Sequence, residues 1–227
     1  MNAYATTFLL SAAAAIASLG VAAASAWTGI TGSGRPVTQQ REVSGFNGVA
    51  LSLPGRVEIV QGPSEGVTLT ADDNLVAEIE TVVEGGVLHV RFRKDLGATT
   101  RTRINVTVRV RAIQSIAVAG SGDVVAATLE SPELSVRLAG SGDVKLGGRA
   151  ESLQVRISGS GDVDAGGFDT QRARVSLAGS GDATVWARKS LEVSVSGSGD
   201  VRYFGDPEVR SKVAGSGSVR RKGASPG

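Results

Sequence analysis

Gly-Ser-Gly-Asp occurs five times in this chain, at 120–123, 140–143, 159–162, 179–182 and 197–200, and Gly-Ser-Gly-Ser follows at 215–218. Successive first glycines are 20, 19, 20, 18 and 18 residues apart, the period of a solenoid coil. Two places before that glycine stand Val118, Leu138, Ile157, Leu177, Val195 and Val213, all apolar. Four places before it stand Ile116, Val136, Val155, Val175 and Val193, with Ser211 ending the column. The residues between them include Arg137, Arg156, Ser176, Ser194 and Lys212, so the period is two and each segment predicts a strand with one buried face. Beyond the turn the alternation resumes, with Val124, Val144, Val163, Ala183 and Val201 pointing in and Val125, Lys145, Asp164, Thr184 and Arg202 pointing out. One such unit cannot cover its own apolar face. Copies stacked about 4.8 Å apart bury a continuous column and pair every strand with its neighbours. The expected fold is therefore all-β, a parallel β-solenoid whose corner is the repeated turn, with the right hand that parallel crossovers favour.

Residues 41–111 break the period. "VEIVQG", "VTLTADD" and "INVTVRVR" alternate as strands, and "VVEGGVLHV" predicts a hairpin bending at Gly85-Gly86. A solenoid needs a terminus that closes its open edge, so this part is expected to form irregular coils and a partly antiparallel cap. The resulting division is a signal peptide at 1–26, a flexible linker at 27–40, one solenoid domain at 41–220 (cap and irregular coils 41–111, repeat coils 112–220) and a polar tail at 221–227. The first of these rests on an uncharged leader, a weakly apolar run from Phe8 to Ala24, and Ala24-Ser25-Ala26 as a small-x-small cleavage pattern before Trp27. The chain is thus expected to be exported, to the periplasm or the cell surface, with no membrane insertion once the leader is removed. It contains no cysteine, so an exported form depends on its core rather than on disulfides.

The succession "REVSGFNGVALSLPGRVEIVQG", "ADDNLVAEIETVVEGGVLHVRF", "INVTVRVRAIQSIAVAGSGDV" and serial coils ending in "VSVSGSGDVRYFGDPEV" resembles the bacterial head GIN domain family, which carries the label putative auto-transporter adhesin. The resemblance spans about residues 41–220. It implies a secreted or surface β-solenoid with a binding, adhesion or structural role in the envelope, and it supplies no catalytic residues.

The recurring aspartates Asp123, Asp143, Asp162, Asp182 and Asp200 fall on the outward parity and stack into a ladder of like charges. In water each neighbouring pair repels by only about 1 kcal/mol, so the ladder is tolerable as turn chemistry, with Ser and Asp bonding local backbone and Arg137, Arg156 or Arg174 neutralising part of the charge. The sharper reading is a calcium ladder on the same five carboxylates. Calcium takes six to eight oxygens, and one carboxylate per corner weighs against it. No cofactor is expected. Catalysis has less support: His89 is the only histidine and lies within the strand pattern "VLHVRF", there is no Cys nucleophile, and no zincin, P-loop or nucleophile-elbow motif occurs. Asp72, Asp73, Asp164 and Asp169 depart from the repeat without pairing into a constellation. The expectation is a non-enzyme, the alternative being a β-helical carbohydrate lyase or hydrolase. A formal charge of +2 from 24 basic and 22 acidic residues gives no case for nucleic acid. The expected partner is an envelope protein or a glycan. The small-residue column Ala119, Ala139, Ser158, Ala178, Ser196 and Ala214 admits close approach by either, but tight corners recruit small residues in any case, and that reading of the column is preferred.

Overall fold

The structure, a computed structural model, describes residues 29–93 and 97–226. The expected signal peptide and its cleavage site lie outside the described residues. Strands make up 71% of the chain and helix 2%, arranged as a parallel β-solenoid of about five turns.

In chain order the elements are β1 (Gly29–Thr31), β2 (Pro36–Arg41), β3 (Gly48–Ser52), β4 (Gly55–Gln61), β5 (Gly66–Asp72), α1 (Asp73–Val76), β6 (Ile79–Glu84), β7 (Val87–Phe92), β8 (Gly97–Thr99) and β9 (Asn105–Val110). They continue with β10 (Ser115–Gly120), β11 (Gly122–Gly140), β12 (Val144–Gly159), β13 (Val163–Gly179), β14 (Ala183–Gly197), β15 (Val201–Phe204), β16 (Glu208–Gly215) and β17 (Val219–Gly223). Long strands such as β11 run from one Gly-Ser-Gly turn to the next and change partner on the way, the first half pairing with β4 and the second with β10. The repeat glycines align in register, Gly120 with Gly140, Gly140 with Gly159, Gly159 with Gly179, Gly179 with Gly197 and Gly197 with Gly215. Inside, the apolar columns form one continuous core in which Val136, Val155 and Val175 are fully buried.

The coil lengths differ, and the surplus residues are absorbed away from the repeated turn. Register shifts fall between Ala126 and Leu129, between Lys145 and Gly147, and around Ala165–Asp169 and Thr170–Arg172. These are the looser returns between corners, and buried core residues such as Leu129, Leu146 and Phe168 lie beside the shifts.

At the amino-terminal end the coils do not follow chain order. β3 and β4 make the coil beneath β10 and β11, with Gly55 aligned to Gly122 and Val57 to Val124. Beneath them in turn lie β7 and β9, which occur later in the sequence. The chain thus leaves its first coil, builds the cap, returns underneath, and then climbs past its starting point. The cap is antiparallel as expected: β6 pairs with β7 through the Gly85-Gly86 bend, and β5 pairs with both β9 and β2.

Two boundary expectations are corrected. Of the stretch 27–40 expected as a linker, the described part from Gly29 is largely strand, β1 pairing with β8 and β2 adding to the edge of β5. The fastener is Asp72, a fully buried carboxylate that accepts from the backbone N–H groups of Gly34 at 2.9 Å, Arg101 at 3.0 Å and Thr102 at 3.3 Å, and from the Thr102 hydroxyl at 2.9 Å. Burial alone pushes this carboxyl up, yet those donors outweigh it and hold it below the usual carboxylate range. At the other end, the tail expected from 221 is strand through Gly223, and Arg221 donates Nε to the Gly205 carbonyl at 2.7 Å.

Candidate functional site

Each Gly-Ser-Gly corner stacks on the last through its backbone. The Gly120 carbonyl accepts from the N–H groups of both Ser141 at 2.9 Å and Gly142 at 3.2 Å, and the Gly140 carbonyl accepts likewise from Ser160 and Gly161. This packing leaves no room for a side chain: a Cβ on Gly140 would fall on the Gly120 carbonyl, and one on Gly142 on that of Gly122. Gly140 also has φ +142, which glycine adopts without strain. The second residue of the repeat is a serine, exposed at every corner.

The fourth residue has a specific task. The Asp143 N–H donates to Asp123 Oδ1 at 3.3 Å, that of Asp162 to Asp143 at 3.2 Å, that of Asp182 to Asp162 at 2.7 Å and that of Asp200 to Asp182 at 2.8 Å. Each carboxylate therefore caps the backbone donor of its own counterpart one coil on. The series ends where Ser218 donates both its N–H, at 2.9 Å, and its hydroxyl, at 2.8 Å, to Asp200. Cations attach at the two ends, Arg103 on Asp123 at 3.2 Å and Arg202 on Asp182 at 3.0 Å and on Asp200 at 3.4 Å. The arginines expected to neutralise the ladder do not do so. Arg174 pairs with Glu192 at 2.6 Å, while Arg137 and Arg156 stand before the corner and the aspartates after it, on a different face. Among the described residues no three His, Cys, Asp or Glu side chains gather as a metal would need, and one oxygen of each ladder carboxylate is already engaged by an N–H.

The remaining candidates scatter. Asp73 accepts from the Ser33 hydroxyl and pairs with Arg35, which together hold its carboxyl low. Asp164 caps the Gly166 N–H. Asp169 grips Arg188 through two bonds of 2.6 and 2.8 Å, raising the guanidinium pKa further, and Arg188 stacks 5.0 Å from the Trp186 ring. His89 is half-buried on β7 between Ala50 and Val82. These groups sit at separate places in the fold and do not converge on one reacting centre.

What the stack does bring together is the outer face of the sheet that precedes the corner. It carries two grooves. One, of about 300 Å³, is polar and charged, with Glu133, Gln154, Arg172, Arg174, Glu192 and Arg210 over Leu153, Ala173 and Leu191. The other, of about 460 Å³, is lined by the small residues Ala139, Ser158, Ala178 and Ser196 beside Arg137, Arg156, Ser176 and Ser194. The small-residue column read from sequence forms the wall of this second groove, and its members are exposed.

Residues 45–207 match the family model described as "putative auto-transporter adhesin, head GIN domain". The chain belongs to the head GIN domain family. Among solved structures, a putative adhesin from Bacteroides fragilis superposes with a TM-score of 0.70 at 23% identity, covering 85% of this chain and 100% of that one. A structure named as a putative lipid binding protein from Parabacteroides distasonis gives 0.60 at 20% identity, covering 86% and 99%. A putative adhesin from the same organism gives 0.56 at 20%, covering 86% and 100%. At these identities the head GIN likeness shows a shared fold. No curated protein matches the chain. No helix among the described residues is long and apolar enough to cross a membrane.

Proposed function

We propose that this head GIN protein is an exported binding scaffold of the cell envelope, with an adhesive or structural role and no cofactor. The observation that carries the reading is the outer face built by β3, β10 and the halves of β11–β14 and β16 before each corner, where outward columns repeat strand by strand in register and enclose two grooves. A rigid repeated surface of this kind suits an extended ligand, whereas a catalyst needs a unique constellation. The adhesin names of the family and of the structural neighbours agree with a surface role. The Asp ladder, in this reading, holds the stack together by capping backbone donors. The test is glycan-array and envelope pull-down screening of a chain beginning at Trp27. Retention of a glycan or envelope protein, released intact, is expected. Release of a shortened glycan would instead establish the β-helical lyase or hydrolase alternative.

A further inference from the structure

One outward column on this face carries cations and no acid, and the column beside it carries no charge at all. Reading across the strands, Ala50 aligns with Ala117, Ala117 with Arg137, Arg137 with Arg156, Arg156 with Ser176, Ser176 with Ser194 and Ser194 with Lys212. The parallel column from Ala119 to Ala214 contains only alanine and serine. Elsewhere on the same face arginine is matched by carboxylate, Arg172 by Glu151 at 2.7 Å, Arg174 by Glu192 at 2.6 Å and Arg210 by Glu208 at 2.8 Å. Arg137 and Arg156 have no carboxylate within ion-pair distance among the described residues, although they are strand neighbours about 4.8 Å apart and repel each other. Arg156 donates one bond, to Gln154 Oε1 at 2.8 Å, and both guanidinium groups border the groove walled by Ala139 and Ser158.

We propose that this groove binds an acidic polysaccharide lying along the solenoid axis, its carboxylate or sulfate groups on Arg137 and Arg156 and its hydroxyls on the serines that follow. The proposal rests on the binding-scaffold reading above and specifies the ligand class. Paired guanidinium groups at adjacent strands present forked donors to successive oxyanions, and an anion removes the repulsion between them. Ser176 and Ser194 carry donors and acceptors suited to sugar hydroxyls, and Lys212 places a further cation beyond them. A bilayer fits less well. Leu138, Ile157 and Leu177 form the floor of the groove but are buried, and the side chains that project from it are alanine, serine and arginine, with no aromatic or large aliphatic group exposed to enter the acyl boundary.

The experiment measures binding of the chain from Trp27 to polygalacturonate and dextran sulfate, with neutral dextran and phosphatidylglycerol vesicles as the other arms. The expected result is retention by at least one acidic glycan, weakening as salt rises, and a loss of roughly tenfold or more in R137Q/R156Q. R172Q/R174Q, which removes ion-paired arginines from the same face, should change affinity less than about threefold. Ser176→Arg with Ser194→Arg, which extends the cation column, should tighten binding, so a destabilised R137Q/R156Q does not leave the question open. No retention by either acidic glycan, equal losses in the two arginine pairs, or arginine-dependent binding to vesicles alone would overturn the proposal. Binding to a neutral glycan indifferent to Arg137 and Arg156 would overturn it while leaving the scaffold reading intact.

Discussion

Asp200 ends the ladder, and its surroundings differ from those of the other four aspartates because the residue one coil on is Ser218 instead of an aspartate. The Ser218 hydroxyl lowers its pKa most, opposed by partial burial, and the Ser218 N–H, Arg202 and Arg220 lower it further. A carboxyl whose folded pKa lies below its ordinary value near 3.8 stabilises the fold at any pH above that value. The contribution disappears as pH falls through the depressed folded value, where both states bind the proton. Asp200→Asn should therefore melt below the wild type at neutral pH, by an interval that holds down to about pH 4 and closes in stronger acid. A gap that widened below pH 4 would contradict the assignment. At this scale the sequence was legible in part. The spacing placed all five aspartates outward, but it could not show that each one caps an N–H one coil away, since that donor is brought close only by stacking. Asp72 was harder still, its partners Gly34, Arg101 and Thr102 coming from two distant segments.

At the scale of the element, the glycines of the repeat are set by how closely one corner sits on the next. Gly181 has no left-handed φ to protect, but a Cβ there would fall on the Gly161 carbonyl. Gly167, in the looser return of the same coil, would place its Cβ no closer than 3.6 Å to the Leu146 carbonyl. Gly181→Ala is expected to cost about 1–3 kcal/mol, through backbone that cannot yield. Gly167→Ala should stay within about 0.5 kcal/mol. Thermal or urea melts of the two variants compare the sites directly, and equal effects would mean that corner spacing is not what selects glycine. Strand parity and corner positions from β10 onward follow from the 18 to 20 residue period, because a two-residue alternation anchored on glycine has one in-register solution. The order of β3, β7 and β9 does not follow from it. Their pairing depends on where the cap sends the chain, and no periodic signal records that path.

For the whole molecule, stability should be a sum of coil and neighbour terms, and the most direct test is to take out one coil. Removing residues 140–158 joins Ala139 to Gly159, a glycine already in register with Gly140, and stacks β13 on β11 with Asp162 next to Asp123. The coils are not identical. Leu129, Gly148 and Phe168 occupy one register position in three successive coils, so the deletion brings the fully buried Phe168 ring against Leu129. Some loss beyond the missing coil is therefore built in. The measurement is a thermal melt of this deletion protein followed by β-sheet circular dichroism. The stacked-coil account predicts a single cooperative transition at a lower midpoint, with the β signal per residue unchanged. A chain that is unfolded or aggregated at room temperature would contradict it.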